Sequence, residues 1–144
     1  MADENDENQD WIELYNAGDQ PQILDGIFIT DDLNTPYKWP LPEQAVIQPN
    51  SYFIIWADDS GHDNHASFKL AESGGEIGLF KEDGTILDSV TYDGQLDDIS
   101  RGRFPDGGAN WSKVLYVADN VGCVDIAYHP SSGVVLAAMW QWFS

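Results

Sequence analysis

Residues 58–65, Asp58-Asp59-Ser60-Gly61-His62-Asp63-Asn64-His65, gather three carboxylates, an amide oxygen, a hydroxyl and two imidazoles within eight positions. Carboxylate and amide oxygens are the ligands Ca²⁺ takes, six or more at a time, and this loop could supply several of them. The EF-hand template is not met, because no register puts a glycine at the sixth place with acids at the first, third and fifth. His62 and His65 would instead seed a zinc or nickel site, for which the sequence names no third or fourth ligand. The candidate metal ligands are therefore Asp58, Asp59, His62, Asp63 and His65, and the bland alternative is a solvated polar loop.

Covalent catalysis has less to stand on. Ser60, His62 and Asp58 have the side chains of a nucleophile, a base and an orienting acid, but a serine hydrolase also needs a shaped backbone and an oxyanion hole. No G-x-S-x-G elbow is present. Pairs of carboxylates suited to glycoside cleavage occur in any acid-rich chain, so their abundance carries no information. Six tryptophans allow stacking on sugars, although Trp11, Trp39 and Trp56 lie in strand-like or loop-anchoring surroundings and read as buried. Trp111, Trp140 and Trp142 are less constrained. Arg101 and Arg103 read as hydrogen-bonding or ion-pairing groups that pin a turn, in preference to a clamp for an anionic partner.

The charge balance narrows the classes of partner. The 144 residues carry 25 acidic against 6 basic side chains, a formal net charge of −19. A field of that sign repels phosphate backbones and anionic membranes and attracts cations and basic protein surfaces. Nucleic acid is therefore not an expected partner. The single cysteine, Cys123, forms no disulfide within the chain, so the fold must rest on packing. The first residues, Met1-Ala2-Asp3-Glu4, lack the basic and apolar regions of a signal peptide, so an exported parent would carry its signal outside this chain. The longest apolar run, over residues 133–143, is about half the roughly 20 residues a membrane-spanning helix needs.

The elements that must position these groups read as strands. Residues 1–10, acidic and amide-rich with no apolar period, read as a solvated, mobile tail. In Trp11-Ile12-Glu13-Leu14-Tyr15 the aliphatic side chains alternate around Glu13, which predicts a strand with one face in a core. Ile27-Phe28-Ile29-Thr30 has strand composition. Residues 31–42, with Pro36, Pro40 and Pro42, read as a surface loop anchored by Trp39. Tyr52-Phe53-Ile54-Ile55-Trp56 is a continuous apolar run that suits a buried central strand. Two runs flank Asp83-Gly84, a dipeptide favoured where a two-residue turn needs positive φ, and predict a hairpin. Val114-Leu115-Tyr116-Val117 reads as a last core strand. No helical period of ten or more residues precedes Val117, which points to an antiparallel sandwich or barrel. Residues 134–143 are too apolar to be left in water; helix and strand are both open, with the β-branched start favouring strand.

The order of these segments resembles the lamin-tail domain in its bacterial form. The matching pieces are Asp10-Trp11-Ile12-Glu13-Leu14-Tyr15-Asn16, Asp31-Asp32 with Lys38-Trp39, and the run from Ile47 to Trp56-Ala57-Asp58. They continue through Phe68-Lys69-Leu70, Gly74-Gly75-Glu76, Asp88-Ser89-Val90, the run from Gln95 to Ser100, and Gly102-Arg103-Phe104-Pro105-Asp106-Gly107, over roughly residues 10–111. The resemblance implies an immunoglobulin-like sandwich serving as a non-catalytic interaction or structural module, often appended to exported enzymes. Two features depart from it. The strand usually found ahead of Asp10 is replaced by the acidic tail, and the chain runs on to a hydrophobic end.

The expectation is an all-β, immunoglobulin-like antiparallel β-sandwich over residues 11–117, after a tail at 1–10. A hydrophobic extension at 118–144 packs on the sandwich or on a partner. Its Trp140, Trp142 and Phe143 are the candidate interaction residues, and it covers the edge left by the missing strand, within the chain or by exchange with a second copy. The expected role is a protein-interaction or structural module of an exported bacterial protein, extracellular or at the cell surface. The alternative is a carbohydrate- or Ca²⁺-binding module on the same fold. No cofactor is expected, Ca²⁺ at the 58–65 loop excepted.

Overall fold

The computed structural model describes residues 9–94 throughout and, beyond them, the backbone of three further strands. In chain order the strands are β1 (Trp11–Asn16), β2 (Gln22–Ile23), β3 (Ile27–Thr30), β4 (Trp39–Pro40), β5 (Val46–Ile47) and β6 (Tyr52–Trp56). They continue with β7 (Gly74–Lys81), β8 (Ile86–Asp93), β9 (Ile99–Arg103), β10 (Trp111–Leu115) and β11 (Val134–Trp140). Every pairing between these strands is antiparallel. One sheet has the order β10-β9-β11-β1-β6, a second β4-β3-β7-β8, and β2 and β5 form a two-stranded ribbon. No helix of the described residues is long and apolar enough to cross a membrane.

Alternation in β1 does what its residue pattern requires. Ile12 and Leu14, 1% and 0% exposed, enter a core shared with Ile55 of β6 and with Ile27, Ile29, Ile77, Leu79, Val90 and Tyr92 of the facing sheet. Successive side chains leave a strand on opposite faces, so Trp11, Glu13 and Tyr15 take the other side. β1 ends at Asn16, which is wholly buried. Its side-chain amide donates to the carbonyls of Gln20 (2.8 Å) and Ile47 (2.9 Å), and its side-chain oxygen accepts from the Gly18 N–H at 2.9 Å. One side chain thus ties the strand end, the following turn and β5 together.

The hairpin of β7 and β8 forms around Asp83-Gly84, but by a longer loop than the two-residue turn expected. The Gly84 N–H bonds to the Lys81 carbonyl and the Lys81 N–H to the Thr85 carbonyl, each at 2.9 Å, so residues 82–84 make the loop. Only Gly84 of the three has positive φ, +86°, the arrangement of a three-residue hairpin with a left-handed glycine. A register shift follows, with Leu79 opposite Asp88 but Phe80 opposite Ile86. This bulge reverses the inside–outside parity of β8. Val90 and Tyr92 point inward, and strict alternation would bring Asp88 in next; the extra residue brings in Leu87, which is buried, and leaves Ile86 55% exposed. Tyr92 is buried with its hydroxyl accepting from the Ala71 N–H at 3.1 Å, and burial pushes its pKa up to about 12.

Three placements differ from expectation. Residues 39–40, assigned to a surface loop, form a short strand with Trp39 buried as its anchor; β4 lies at a sheet edge, where proline is tolerated. The apolar run at β6 is an edge strand and not a central one, half-covered at Phe53 and Ile54 and buried only at Ile55-Trp56. The strand expected last is β10, at the far edge of its sheet, and it is followed by β11. β11 sits at the centre of the same sheet, between β1 and β9, with Trp11 opposite Trp140 and Asn16 opposite Val134. Residues 134–140 are therefore a strand, and β11 pairs with β1 along the side away from β6.

Candidate functional site

The ligand-rich loop begins where β6 ends and returns along that strand's open edge. The Trp56 N–H donates to the Asn64 carbonyl at 2.9 Å and the Ala66 N–H to the Trp56 carbonyl at 2.7 Å. A parallel bridge sets Trp56 beside His65, and an antiparallel one sets Asp58 beside Lys69. The Asn64 side-chain amide adds a bond to the Ile54 carbonyl at 3.1 Å. An edge strand presents unpaired backbone groups that water or another chain would otherwise take. Here the loop takes them. Its tight course depends on Asp59 (φ +68°), Gly61 (φ +71°) and Asp63 (φ +49°) in the left-handed region, which aspartate tolerates better than most side chains.

The titratable side chains divide into two pairs. His65, 1% exposed, has its Nδ1 2.6 Å from the Asp58 carboxylate, and its ring lies 6.4 Å from that of Trp56 and 4.9 Å from that of His62, centroid to centroid. Burial is the largest single influence on Asp58 and works against its charge. The hydrogen bonds from His65 and Ser60 together outweigh it, and the pKa is lowered from the ordinary 3.8. His62 pairs with Asp63 at 3.2 Å on the exposed side of the loop.

Of the five candidate ligands, Asp58 and His65 are brought together as a buried pair, His62 and Asp63 as an exposed pair, and Asp59 stands apart in the left-handed turn. Among the described residues no three His, Cys, Asp or Glu side chains are grouped so as to hold a metal ion. Nor is a triad assembled: Asp58, which would have to orient His62, holds His65, and Ser60 donates its backbone N–H to Asp58 at 3.0 Å. The arrangement fastens a loop onto a strand edge. Asn64 is the residue that sequence reasoning missed, since nothing in its neighbours marks a side chain that caps a carbonyl of an earlier strand.

Trp11, Trp39 and Trp56 are buried at 1%, 6% and 7% exposure, as their settings implied. Trp140 stands opposite Trp11, which in turn stands opposite Trp56, so the backbone register puts the three in one row across adjacent strands. Trp142 and Phe143 lie outside the described residues, as does the acidic tail at 1–8. Arg101 and Arg103, assigned to a turn, belong to strand β9.

Neither the curated proteins nor the solved structures yield a match to this chain. A family model described as Lamin Tail Domain matches residues 1–94. The match takes in the acidic start, which the expected span of about 10–111 left out, and stops before Gly102-Arg103-Phe104-Pro105-Asp106-Gly107. It contains β1 through β8, the whole second sheet and the edge-covering loop. With two antiparallel sheets closed on a common core and a match over most of its length, the chain belongs to the lamin tail domain family, whose fold is immunoglobulin-like.

Proposed function

We propose that the chain is a non-catalytic protein-interaction or structural module of an exported bacterial protein, working at the cell surface or outside the cell. Family membership supports an immunoglobulin-like interaction or structural domain. The observation that carries the proposal is the use of the 58–65 loop. Its buried Asp58–His65 pair and its backbone bonds are engaged with the edge of β6, so the side chains best suited to chemistry serve the fold. No cofactor is needed for this role. With a net charge of −19, a basic protein surface is a more favourable partner than nucleic acid.

The C-terminal apolar segment is the proposed means of association. β11 fills the place between β1 and β9 from a distant part of the sequence, with residues 116–133 before it. A strand delivered from so far along the chain can be supplied equally by a second copy, which is the usual route to strand exchange. Introducing Glu13→Cys and Ala138→Cys, which stand opposite each other, into a Cys123→Ser background reads the origin of β11 directly. The expected result is a dimer by native mass spectrometry whose disulfide joins two chains. A strictly monomeric mass with only an intrachain link would remove the role given to this segment.

A further inference from the structure

We propose that the groove between the turn at residues 24–27 and the hairpin loop at residues 81–85 is a docking surface for a basic, amphipathic segment of a different protein. The groove encloses about 520 Å³, with Ile23, Ile27 and Leu87 as apolar lining and Asp25, Glu82 and Asp83 as acids, offset by Lys81 alone. It shares no residue with β1, β9 or β11, so it is separate from the strand exchange proposed above.

Its walls are built and fixed. The Ile27 N–H closes the turn on the Leu24 carbonyl at 3.1 Å, and the Glu82 N–H crosses to the Gly26 carbonyl at 2.9 Å. The Asp25 carboxylate accepts the Gln44 N–H at 2.6 Å, which fixes it beside the turn. Gly26 has φ +73°, and a Cβ there would lie 3.5 Å from a Glu82 carboxylate oxygen, so that carboxylate lies over the turn.

Apolar surface left in water accompanies these acids. Ile23 is 62% exposed, and Val46, directly opposite it on β5, is 43% exposed. Aliphatic patches rimmed by charge are characteristic of binding surfaces. An arginine or lysine fits this one, its methylene stem lying on Ile23 and Leu87 while its cationic head reaches Asp25 and Glu82. Flanking β-branched side chains of the partner would cover Ile23 and Val46. A second copy is a poor occupant, since an acidic rim would meet another acidic rim.

The test uses the full chain and a short synthetic peptide alternating arginine with valine, with a glutamate–valine peptide as its counterpart. The expected result is amide chemical-shift change confined to residues 22–27, 44–47 and 81–87 on adding the arginine peptide. By calorimetry, Ile23→Ser and Glu82→Lys each weaken binding at least about tenfold, while Glu72→Lys, an equal charge change on an exposed site elsewhere, leaves it unchanged. Both groove substitutions lie on exposed side chains, and an unaltered circular dichroism spectrum shows that the fold is kept. Equal binding of the glutamate peptide, equal weakening by Glu72→Lys, shifts lying elsewhere, or no binding at all would each overturn the proposal.

Discussion

Asp58 and His65 are the residues at which local chemistry and fold are most tightly joined. A carboxylate buried beside an imidazole at 2.6 Å is stable only while its bonds repay the loss of hydration. Replacing it by asparagine removes the charge-assisted component and is expected to cost about 1–3 kcal/mol in urea unfolding at neutral pH. The sign of the pH dependence follows from the lowered pKa. A carboxylate whose folded pKa lies below its unfolded one contributes stability that is fully present above the unfolded value, about 3.9. That contribution is lost as pH falls through the folded value. The gap between wild type and Asp58→Asn should therefore be present at neutral pH and close as pH falls below the unfolded value. A gap of constant size at every pH would mean that the carboxylate's charge has no part in holding the loop.

The hairpin of β7 and β8 depends on backbone geometry that one residue type supplies. Gly74 opens β7 with φ +106°, and a Cβ there would sit 2.7 Å from the Tyr92 carbonyl oxygen and 3.0 Å from the Asp93 carbonyl carbon. Those are main-chain atoms of the paired strand, so they cannot rotate away as a side-chain tip would. Gly74→Ala is expected to destabilise by about 1–3 kcal/mol, with hydrogen exchange accelerating first at the Gly74–Asp93 end of the hairpin. Equal stability of the variant would show that the strand end can slide to a new register. On the other sheet the open edge of β6 is covered by a folded-back loop that supplies both a backbone bridge and the Asn64 amide.

Across the whole molecule the dominant physical fact is charge. Twenty-five acidic side chains against six basic ones repel one another in the compact state more than in the expanded one. Raising ionic strength shortens the Debye length from about 30 Å at 0.01 M to about 3 Å at 1 M and relieves that repulsion. The midpoint of thermal unfolding is therefore expected to rise with sodium chloride over this range, followed by differential scanning fluorimetry. A midpoint that falls instead would mean that local ion pairs, such as Lys38 with Asp31, outweigh the general repulsion. The same acidity that strains the fold at low salt gives the groove at Asp25 and Glu82 its preference for a cationic partner.

Much of this fold was legible in local patterns. Ile12 and Leu14 alternating around Glu13 declare an inward face, because side-chain direction in a strand repeats every two residues without help from distant parts of the chain. Asp83-Gly84 marked the hairpin for the same kind of reason, since only certain residues accept positive φ. What no local pattern carried was which strand lies beside which. Tyr52-Phe53-Ile54-Ile55-Trp56 is apolar enough for a central strand, yet it is an edge covered by a loop, and Val134–Trp140 took the centre. Nor could the residues at 58–65 announce their use, because an aspartate and a histidine seven positions apart look alike whether they bind an ion or each other. Neighbour choice and site use are settled by contacts between residues far apart in sequence, and those exist only once both sheets have closed on their core.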